Sequence, residues 1–356
     1  MARLFDLQET KGTFQIKGNI NGVKKDRFYT SKKTKTNKDF RAVNFGCEYN
    51  GKQTVYMDLN GMPQANVYFS RRNSETGKTE TKSVAWANRN KFAENDFRMI
   101  GVNLGLTKTT DKNGREVNDR KTMHAFDACE YIASNLKDEM STFIKGNVEF
   151  SSYQDANGNT RRSIKYVPSQ ISLCQPVDFA EYNEDNKPVH DFTQTIIFME
   201  VNKENQNGKD TGRFVVQAKI VTYSDIVNTE FIITDQKLAG MFKKNLKPYT
   251  AITVHGHITV SHQVEEVTTD DDAWGEVNTM NTVSAPTKTE MIITGATPST
   301  IDRETYTEKN IAEAVAKIRN AKTAEQNFSG KVNIDIEVDD NDWGVGGDDE
   351  DDVEVW

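Results

Sequence analysis

The sequence predicts a mainly β protein made of two similar units in tandem, followed by an acidic C-terminal segment. Apolar and polar residues alternate with a period of two along most stretches, as in half-buried antiparallel strands. The second half of the chain also repeats the order of the first half: strands, then a short helix, then two more strands. Repeated units of this kind predict two small barrels in one chain.

The first unit contains alternating stretches such as "RAVNFGCEY", in which Val43, Phe45 and Cys47 lie on one face of a strand. Its predicted elements are strands at 13–23, 41–49, 54–59 and 66–72, a helix at 123–139, and strands at 143–153 and 163–173. Asn157-Gly158 is a strong signal for a tight hairpin turn between the last two strands.

The second unit follows the same plan in fewer residues. Its predicted elements are strands at 192–201, 213–223 and 229–235, a helix at 236–246, and strands at 251–260 and 288–296. In both units the strand after the helix carries a central glycine, Gly146 or Gly256, and Gly18 has a similar setting in the first strand. Glycine inside a strand usually marks a bulge or a sharp barrel corner.

Five strands with a helix between the third and the fourth is the order of an OB-fold, a small Greek-key barrel. The sequence therefore predicts two tandem OB-like barrels with short helices; a pair of β-sandwiches is the alternative. The expected divisions are a basic domain at 1–175, a second domain at 176–300, a helix and strand at 301–338, and a disordered acidic tail at 339–356. Residues 74–122 and 262–287 are expected to be polar loops inserted into the two units.

Charge is distributed unevenly along the chain, although the formal net charge is only −8. Residues 1–175 carry 29 Lys/Arg and 19 Asp/Glu, giving +10, whereas residues 176–338 carry 16 and 25, giving −9. Residues 339–356 carry nine acids and no Lys or Arg, giving another −9. This asymmetry predicts an anionic partner for the first unit and a cationic partner or surface for the C-terminal end.

Several classes of protein are disfavoured by the sequence. Three scattered cysteines indicate a reducing, cytoplasmic setting, and no segment has the apolar length of a membrane span or signal peptide. His255 and His257 share one face of a predicted strand, with His262 further along, but a polar surface is a better interpretation than a metal site. No phosphate-binding loop or nucleophile motif occurs. We expect a protein that is not an enzyme and has no cofactor; a nuclease using dispersed carboxylates remains an open alternative.

Basic residues are interleaved with aromatic residues in four segments of the first unit. Single-stranded nucleic acid needs cations for its phosphates and flat rings on which unpaired bases stack. Two of the segments lie at the first loop and the last hairpin, which line the groove of an OB-fold. The predicted nucleic-acid-binding residues are Lys24, Lys25, Arg27, Phe28, Tyr29, Lys32, Lys33, Lys35, Arg41, Tyr56, Tyr68, Arg71, Arg72, Trp86, Arg89, Lys91, Arg161, Arg162, Lys165 and Tyr166.

The chain ends in "GGDDEDDVEVW", in which apolar residues follow a run of acids. This ending resembles that of OB-fold single-stranded DNA-binding proteins of bacteria and their viruses. The resemblance implies a protein that coats single-stranded DNA during replication, recombination or repair and recruits partner proteins through its tail. The residues expected to bind those partners are Asp348, Asp349, Glu350, Asp351, Asp352, Val353, Glu354, Val355 and Trp356.

The resemblance has visible departures, because bacterial members usually contain one OB domain and end in Phe rather than Trp. The chain length and long insertions are more similar to the replication proteins of bacterial viruses, which places the expected site of action in the host bacterial cytoplasm. An RNA-binding OB protein and a structural or assembly protein of a virus particle are the alternatives. The sequence predicts neither the oligomeric state nor the number of nucleotides bound.

Overall fold

The computed structural model describes residues 3–94, 96–154, 160–182, 187–206, 208–262 and 287–329. The chain is mainly β, as the alternating sequence predicts. The strands are β1 (Gly12–Asn21), β2 (Tyr29–Lys33), β3 (Asp39–Glu48), β4 (Thr54–Gly61), β5 (Asn66–Arg72), β6 (Thr79–Ala85), β7 (Arg98–Met99), β8 (Val102–Gly105), β9 (Lys108–Thr110), β10 (Glu116–Asn118), β11 (Lys121–Met123), β12 (Ser141–Gln154), β13 (Thr160–Leu173), β14 (His190–Gln206), β15 (Lys209–Val221), β16 (Ile226–Ile233), β17 (Thr250–His262) and β18 (Thr287–Asp302). The helices are α1 (Ala125–Asn135), α2 (Gln236–Asn245) and α3 (Glu308–Ser329).

Strand pairing in the first half forms a ring. β1 pairs with β3, β3 with β4, and β4 runs parallel to β13 through the pair Met57 and Tyr166. β13 pairs with β12, and β12 returns to β1. Helix α1 packs on β3 and β4 with the buried side chains of Phe126, Cys129 and Ile132. The imidazole Nδ1 of His124 accepts a hydrogen bond from the N–H of Phe126 and so caps the first turn of the helix.

The second half repeats this ring with shorter connections. β14 pairs with β15, β15 with β16, and β16 runs parallel to β18 through Ile232 and Ile292. β18 pairs with β17, and β17 returns to β14. Helix α2 lies between β16 and β17 in sequence, as α1 lies between β4 and β12. The sequence therefore predicted the repeat and the position of both helices correctly.

The two rings are joined edge to edge through their first strands. β1 pairs antiparallel with β14, and Phe14 lies opposite Phe192 while Ile16 lies opposite His190. The result is one sheet of 13 strands, which as a whole is not a closed barrel. Most of the buried apolar residues of both rings belong to one hydrophobic cluster. No pattern in the sequence predicts this joint.

The mid-strand glycines lie where the strands bend. Strand register shifts at Gly146 in β12 and at Gly256 in β17, as expected for bulges. A Cβ at Gly146 would collide with the carbonyl of Val167, and one at Gly256 with the carbonyl of Ile292. Glycine is required at these positions because a neighbouring backbone takes the space of a side chain.

A smaller core joins the N-terminal segment to α3. Phe5 and Leu7 pack with Ile311 and Ile318 of the helix, against residues of the second ring. The hydroxyl of Tyr306 donates a hydrogen bond of 3.0 Å to the carbonyl of Gln8. The helix predicted at 307–322 is thus present as α3, whereas the strand predicted at 331–338 lies outside the described residues.

The insertion of the first unit contains more strand than the sequence indicated. We expected polar loops over 74–122, but β6 and β7 of this range join the predicted strand β5 in a three-stranded sheet, and β9 with β10 forms a separate hairpin. β8 and β11 extend the main sheet beside β13. These strands are only two to seven residues long and mostly polar, so they lack the apolar alternation that identifies a strand in sequence. No helix in the described part of the chain has the length and apolar character needed to cross a bilayer.

Candidate nucleic-acid interface

The connection between β1 and β3 forms a strongly basic hairpin. Residues 24–39 contain seven Lys/Arg and two Asp, for a formal charge of +5. All seven cations are exposed: Lys24, Lys25, Arg27, Lys32, Lys33, Lys35 and Lys38. Lys33 forms an ion pair of 3.0 Å with Asp39, one of the two carboxylates already counted in this charge. The sequence prediction omitted Lys38, although the pairing of β2 with β3 places it in the same hairpin.

The hairpin is fixed to the core of the first ring by an aromatic side chain. Phe28 ends a short 3-10 turn, is only 6% exposed and lies in the main hydrophobic cluster. Our prediction that Phe28 binds nucleic acid is therefore wrong, because its ring has no free face for a base. Tyr29 is half-buried and packs against the same cluster. The local role of both residues is to hold the basic hairpin in place.

Tyr166 is a second residue for which the structure corrects the sequence prediction. Its ring is 4% exposed and packs edge-to-face on Phe14, with centroids 5.3 Å apart. A base could stack on Tyr166 only if its ring faced outwards, but Tyr166 is two residues from Ile164 and shares the inward face. Burial raises the pKa of Tyr166, as expected for a phenol without water around it.

Two tyrosines do offer free rings. Tyr56 on β4 is 49% exposed and Tyr68 on β5 is 50% exposed. Lys165 of β13 lies near Tyr56, because the pairing of Tyr166 with Met57 sets the two strands side by side. Exposed aromatic rings next to cations have the composition of a surface that stacks unpaired bases and neutralises phosphates.

Carboxylates near Lys165 reduce its effective charge. Asp58 accepts a hydrogen bond of 2.8 Å from the Asn44 side chain, and Glu149 lies opposite Lys165 in the ladder. Burial raises the pKa of Asp58, while the charge of Lys165 and the Asn44 hydrogen bond oppose that shift. Burial raises the pKa of Glu149 as well, against the charge of Lys165. The surface around Lys165 therefore carries less positive charge than the hairpin at 24–39.

Trp86 and the arginines near it hold the insertion on α1. The Trp86 ring meets the rings of His124 and Phe126 edge-on, and the Arg89 guanidinium lies 3.9 Å from the Trp86 centroid. Arg89 also donates two hydrogen bonds, of 2.7 and 2.9 Å, to the carboxylate of Asp127. These contacts are structural, although the sequence placed Trp86 and Arg89 among the binding residues.

Arg41 and Arg71 are also held by internal contacts. Arg41 lies 4.1 Å over the Phe126 ring and pairs with Glu130 at 3.0 Å. Arg71 pairs with Glu80 at 2.7 Å, and its guanidinium lies over Phe97. Their charges are therefore largely neutralised by the protein itself. Of the remaining predicted residues, the structure places these on the surface: Arg72, Lys91, Arg161 and Arg162.

The second ring has its own ion pairs and is contacted by the first ring along β16. Arg162, from the hairpin of the first ring, lies 3.4 Å from Glu230 on β16, and the hydroxyl of Ser152 donates to the carboxylate of Asp225 at 2.8 Å. The long β12–β13 hairpin thus reaches across to β16. Arg213 forms ion pairs with Glu204 and Glu290.

Other parts of the predicted site lie outside the described residues. They include the acidic loop at 263–286 and all nine tail residues expected to bind partners, 348–356. Within the described ranges, no group of three or more His, Cys, Asp or Glu is arranged to hold a metal ion. His257 instead pairs with Asp191 at 2.9 Å.

These features define a mainly β protein of two fused five-strand rings, with a basic hairpin and two exposed tyrosines in its first half. A family model described as YorF matches residues 11–330, and the chain belongs to the YorF family. The search of curated proteins gave no match.

Among solved structures, the chain is similar to the wild-type single-stranded DNA-binding protein of Thermus aquaticus. Their sequences are 9% identical, the TM-score is 0.37, and the alignment covers 82% of this chain and 93% of that chain. A deletion mutant of the same protein matches with 9% identity and a TM-score of 0.37, covering 81% of this chain and 94% of that chain.

Proposed function

We propose that this protein binds single-stranded DNA without sequence specificity, on the basic side of its first ring. The observation that carries the proposal is the hairpin at 24–39, in which seven exposed cations face only two carboxylates. Phe28, buried in the main hydrophobic cluster, anchors this charged hairpin to the first ring, and the surface of that ring also carries the exposed side chain of Tyr56. Attraction to phosphates and stacking of bases can therefore act on the same strand.

We further propose that each ring is an OB-type barrel. In both halves the order of pairing is first, second, third, fifth and fourth strand, with a parallel contact between the third and fifth. In such barrels the loop after the first strand and the hairpin between the last two strands line the groove. In the first ring these are the basic hairpin and the β12–β13 hairpin, which carries Arg161 and Arg162.

The second ring acts as a support in this proposal. The β12–β13 hairpin of the first ring contacts the second ring along β16. Arg213 of the second ring is paired with Glu204 and Glu290. The domain at 1–175 would then bind DNA, while the domain at 176–300 would fix its geometry. A chain with a single DNA-binding groove would cover one stretch of single-stranded DNA per molecule.

Single strands are favoured over duplex because the proposed contacts need unpaired bases. In a duplex the faces of the bases are already stacked on one another, so an exposed ring such as that of Tyr56 gains nothing from them. Phosphate contacts alone would still give weak, salt-sensitive binding to duplex. The RNA-binding alternative shares this chemistry and is decided by experiment.

The tail suggests the biological setting. The acidic ending with its apolar tip supports a role in which replication or recombination proteins are recruited to coated DNA, in the cytoplasm of a bacterium or of a bacterium infected by a virus. Acids would attract a basic pocket over a distance, while Trp356 would provide a compact apolar anchor. This part of the proposal rests on the sequence.

The test is a binding series with one labelled sequence prepared as single-stranded DNA, single-stranded RNA and duplex DNA, at several salt concentrations. We expect the tightest binding to single-stranded DNA, with log affinity falling linearly with log salt by about 0.7 per phosphate neutralised. Equal affinity for the duplex, or no salt dependence, would overturn the proposal. Preference for the RNA form would transfer it to an RNA-binding protein, and cleavage that requires a divalent metal would indicate a nuclease.

A further inference from the structure

The small sheet inserted in the first unit has two faces of opposite character. On the inner face Val67 and Phe69 are 2% and 5% exposed, and Phe69 packs on Phe92 with centroids 4.5 Å apart. The strand pairs set Tyr68, which is half-exposed, on the opposite face. The inner face is therefore the packed side of the insertion, and the outer face is open to solvent.

The two faces also differ in which charged residues they carry. The acids Glu80 and Glu94 pair with Arg71 and Lys82, which share the inner face. The register of β5, β6 and β7 places nine residues on the outer face, and none of them is an aspartate or a glutamate. Two of them are arginines, and the other polar ones are serine, threonine and asparagine.

The outer face also combines an aromatic ring with an apolar neighbour. The N–H of Ile100 donates a hydrogen bond of 2.8 Å to the carbonyl of Tyr68, which sets the two side chains next to each other. Ile100 is 55% exposed. Arg98 lies opposite Ser70 in the ladder, and Arg72 lies two residues beyond Ser70 on the same face. The result is an apolar platform with a cation on each of two neighbouring strands.

We propose that this outer face is a second contact surface for single-stranded nucleic acid, separate from the barrel, on which a base stacks over Tyr68 and Ile100. Arg72 and Arg98 would neutralise the flanking phosphates. The argument for this occupant is charge complementarity: a face without carboxylates suits a polyanion, and an exposed ring suits a base. The inference rests on the proposed function and extends the binding site onto the insertion.

The test uses the full-length protein and oligothymidylates of increasing length, with affinity measured by fluorescence anisotropy. A surface beyond the barrel should be reached only by longer strands. Tyr68→Ala with Ile100→Ala should therefore leave binding of the shortest bound oligonucleotides unchanged and weaken the longest by about tenfold, the effect of losing one stacked base. Arg72→Ala with Arg98→Ala should lower the salt slope for long strands only.

A matched control removes the same charge from the neighbouring hairpin. Lys112 and Arg115 are exposed in the turn between β9 and β10, so Lys112→Ala with Arg115→Ala should reproduce any general effect of net charge and no more. A strand carrying 5-iodouracil should crosslink to Tyr68 in the wild-type protein. The inference is wrong if each of the three double variants changes the affinity for long and short strands equally and no crosslink forms at Tyr68. That outcome would leave the proposed DNA binding by the first ring intact. If the wild-type protein binds no single strand at all, the proposed function itself fails.

Discussion

His190 stacks on Tyr49 with ring centroids 4.3 Å apart, and this contact crosses the joint between the two rings. Tyr49 follows β3 in the first ring, whereas His190 begins β14 in the second. The other face of the imidazole stacks on His257, and its Nδ1 lies 2.6 Å from the carbonyl of Ile258. The two halves are therefore joined by an imidazole that is enclosed by rings on both sides.

This joint should weaken in acid. Burial lowers the pKa of His190, and the neighbouring His257 lowers it further, although the Ile258 carbonyl and Asp191 act in the opposite direction. The unfolded chain then binds more protons than the folded one, so the free energy of unfolding falls as the pH drops through the ordinary histidine value of about 6.5. We expect His190→Gln to flatten this loss, as measured by urea unfolding between about pH 7 and pH 5. Equal pH slopes for the variant and the wild type would show that His190 does not carry the effect.

The bulge glycines should be intolerant of even a methyl group. Gly146→Ala and Gly256→Ala each place a Cβ against a backbone carbonyl, so we expect losses of about 3 kcal/mol in the free energy of unfolding. Gly240→Ala is the control, because Gly240 lies in α2 with no atom near its missing Cβ, and it should stabilise the protein by up to about 1 kcal/mol. Chemical denaturation measures all three. Unchanged stability of Gly146→Ala would contradict the close backbone approach described above.

Tyr56 and Trp86 should separate binding from stability. Trp86 is packed between Arg89, His124 and Phe126, so Trp86→Ala should lower the free energy of unfolding by about 2–3 kcal/mol. Tyr56→Ala should hardly change stability, because half of the side chain is exposed, and should weaken binding to single strands by about 1–3 kcal/mol. The two measurements are thermal unfolding and anisotropy titration. The reverse pattern would place the stacking surface at Trp86, as the sequence alone suggested.

Removal of residues 339–356 should tighten binding to single-stranded DNA. The deletion takes away nine acids and changes the formal net charge from −8 to +1. If the tail competes with DNA for the basic side, the gain should be largest at low salt, where screening is weakest. Titrations of the full-length and shortened proteins across a salt series test this. Identical affinities at every salt concentration would leave the tail with no role in DNA binding.

The anchor role of the tail needs a different measurement. Trp356→Ala keeps every acid and removes only the terminal ring, so it should abolish most partner capture while leaving the salt dependence of DNA binding unchanged. A pull-down with the full-length, truncated and Trp356→Ala proteins compares the three directly. Capture of the same proteins by all three would reduce the tail to a solubility element.

The fold could be predicted from sequence where one physical signal dominated. Alternation identified the long strands, and the predicted helix at 236–246 agrees with α2 to one residue. Glycine inside a strand predicted both bulges, because only a close backbone approach justifies its entropic cost. The joint of β1 with β14 could not be predicted, since long-range pairing leaves no mark on either strand alone.

The site was harder to predict because basic and aromatic residues also serve as structural contacts. Arg41, Arg71 and Arg89 have the composition of a phosphate-binding surface, yet each is held by a carboxylate that is remote in sequence or on a neighbouring strand. Tyr166 was misassigned because a bulge changes which residues of β13 face inwards. Conversely, Arg98 and Ile100 were missed, since only the register of a two-residue strand places them beside Tyr68.

The small core between the N-terminal segment and α3 imposes an order on synthesis. Gln8 and Tyr306, which share a hydrogen bond across this core, are 298 residues apart in the chain. A growing polypeptide at the ribosome can complete both rings while Phe5 and Leu7 still lack their partners on the helix. This small core therefore forms late. A translation product that stops before Ile311 would leave Phe5 and Leu7 exposed to quality-control proteases.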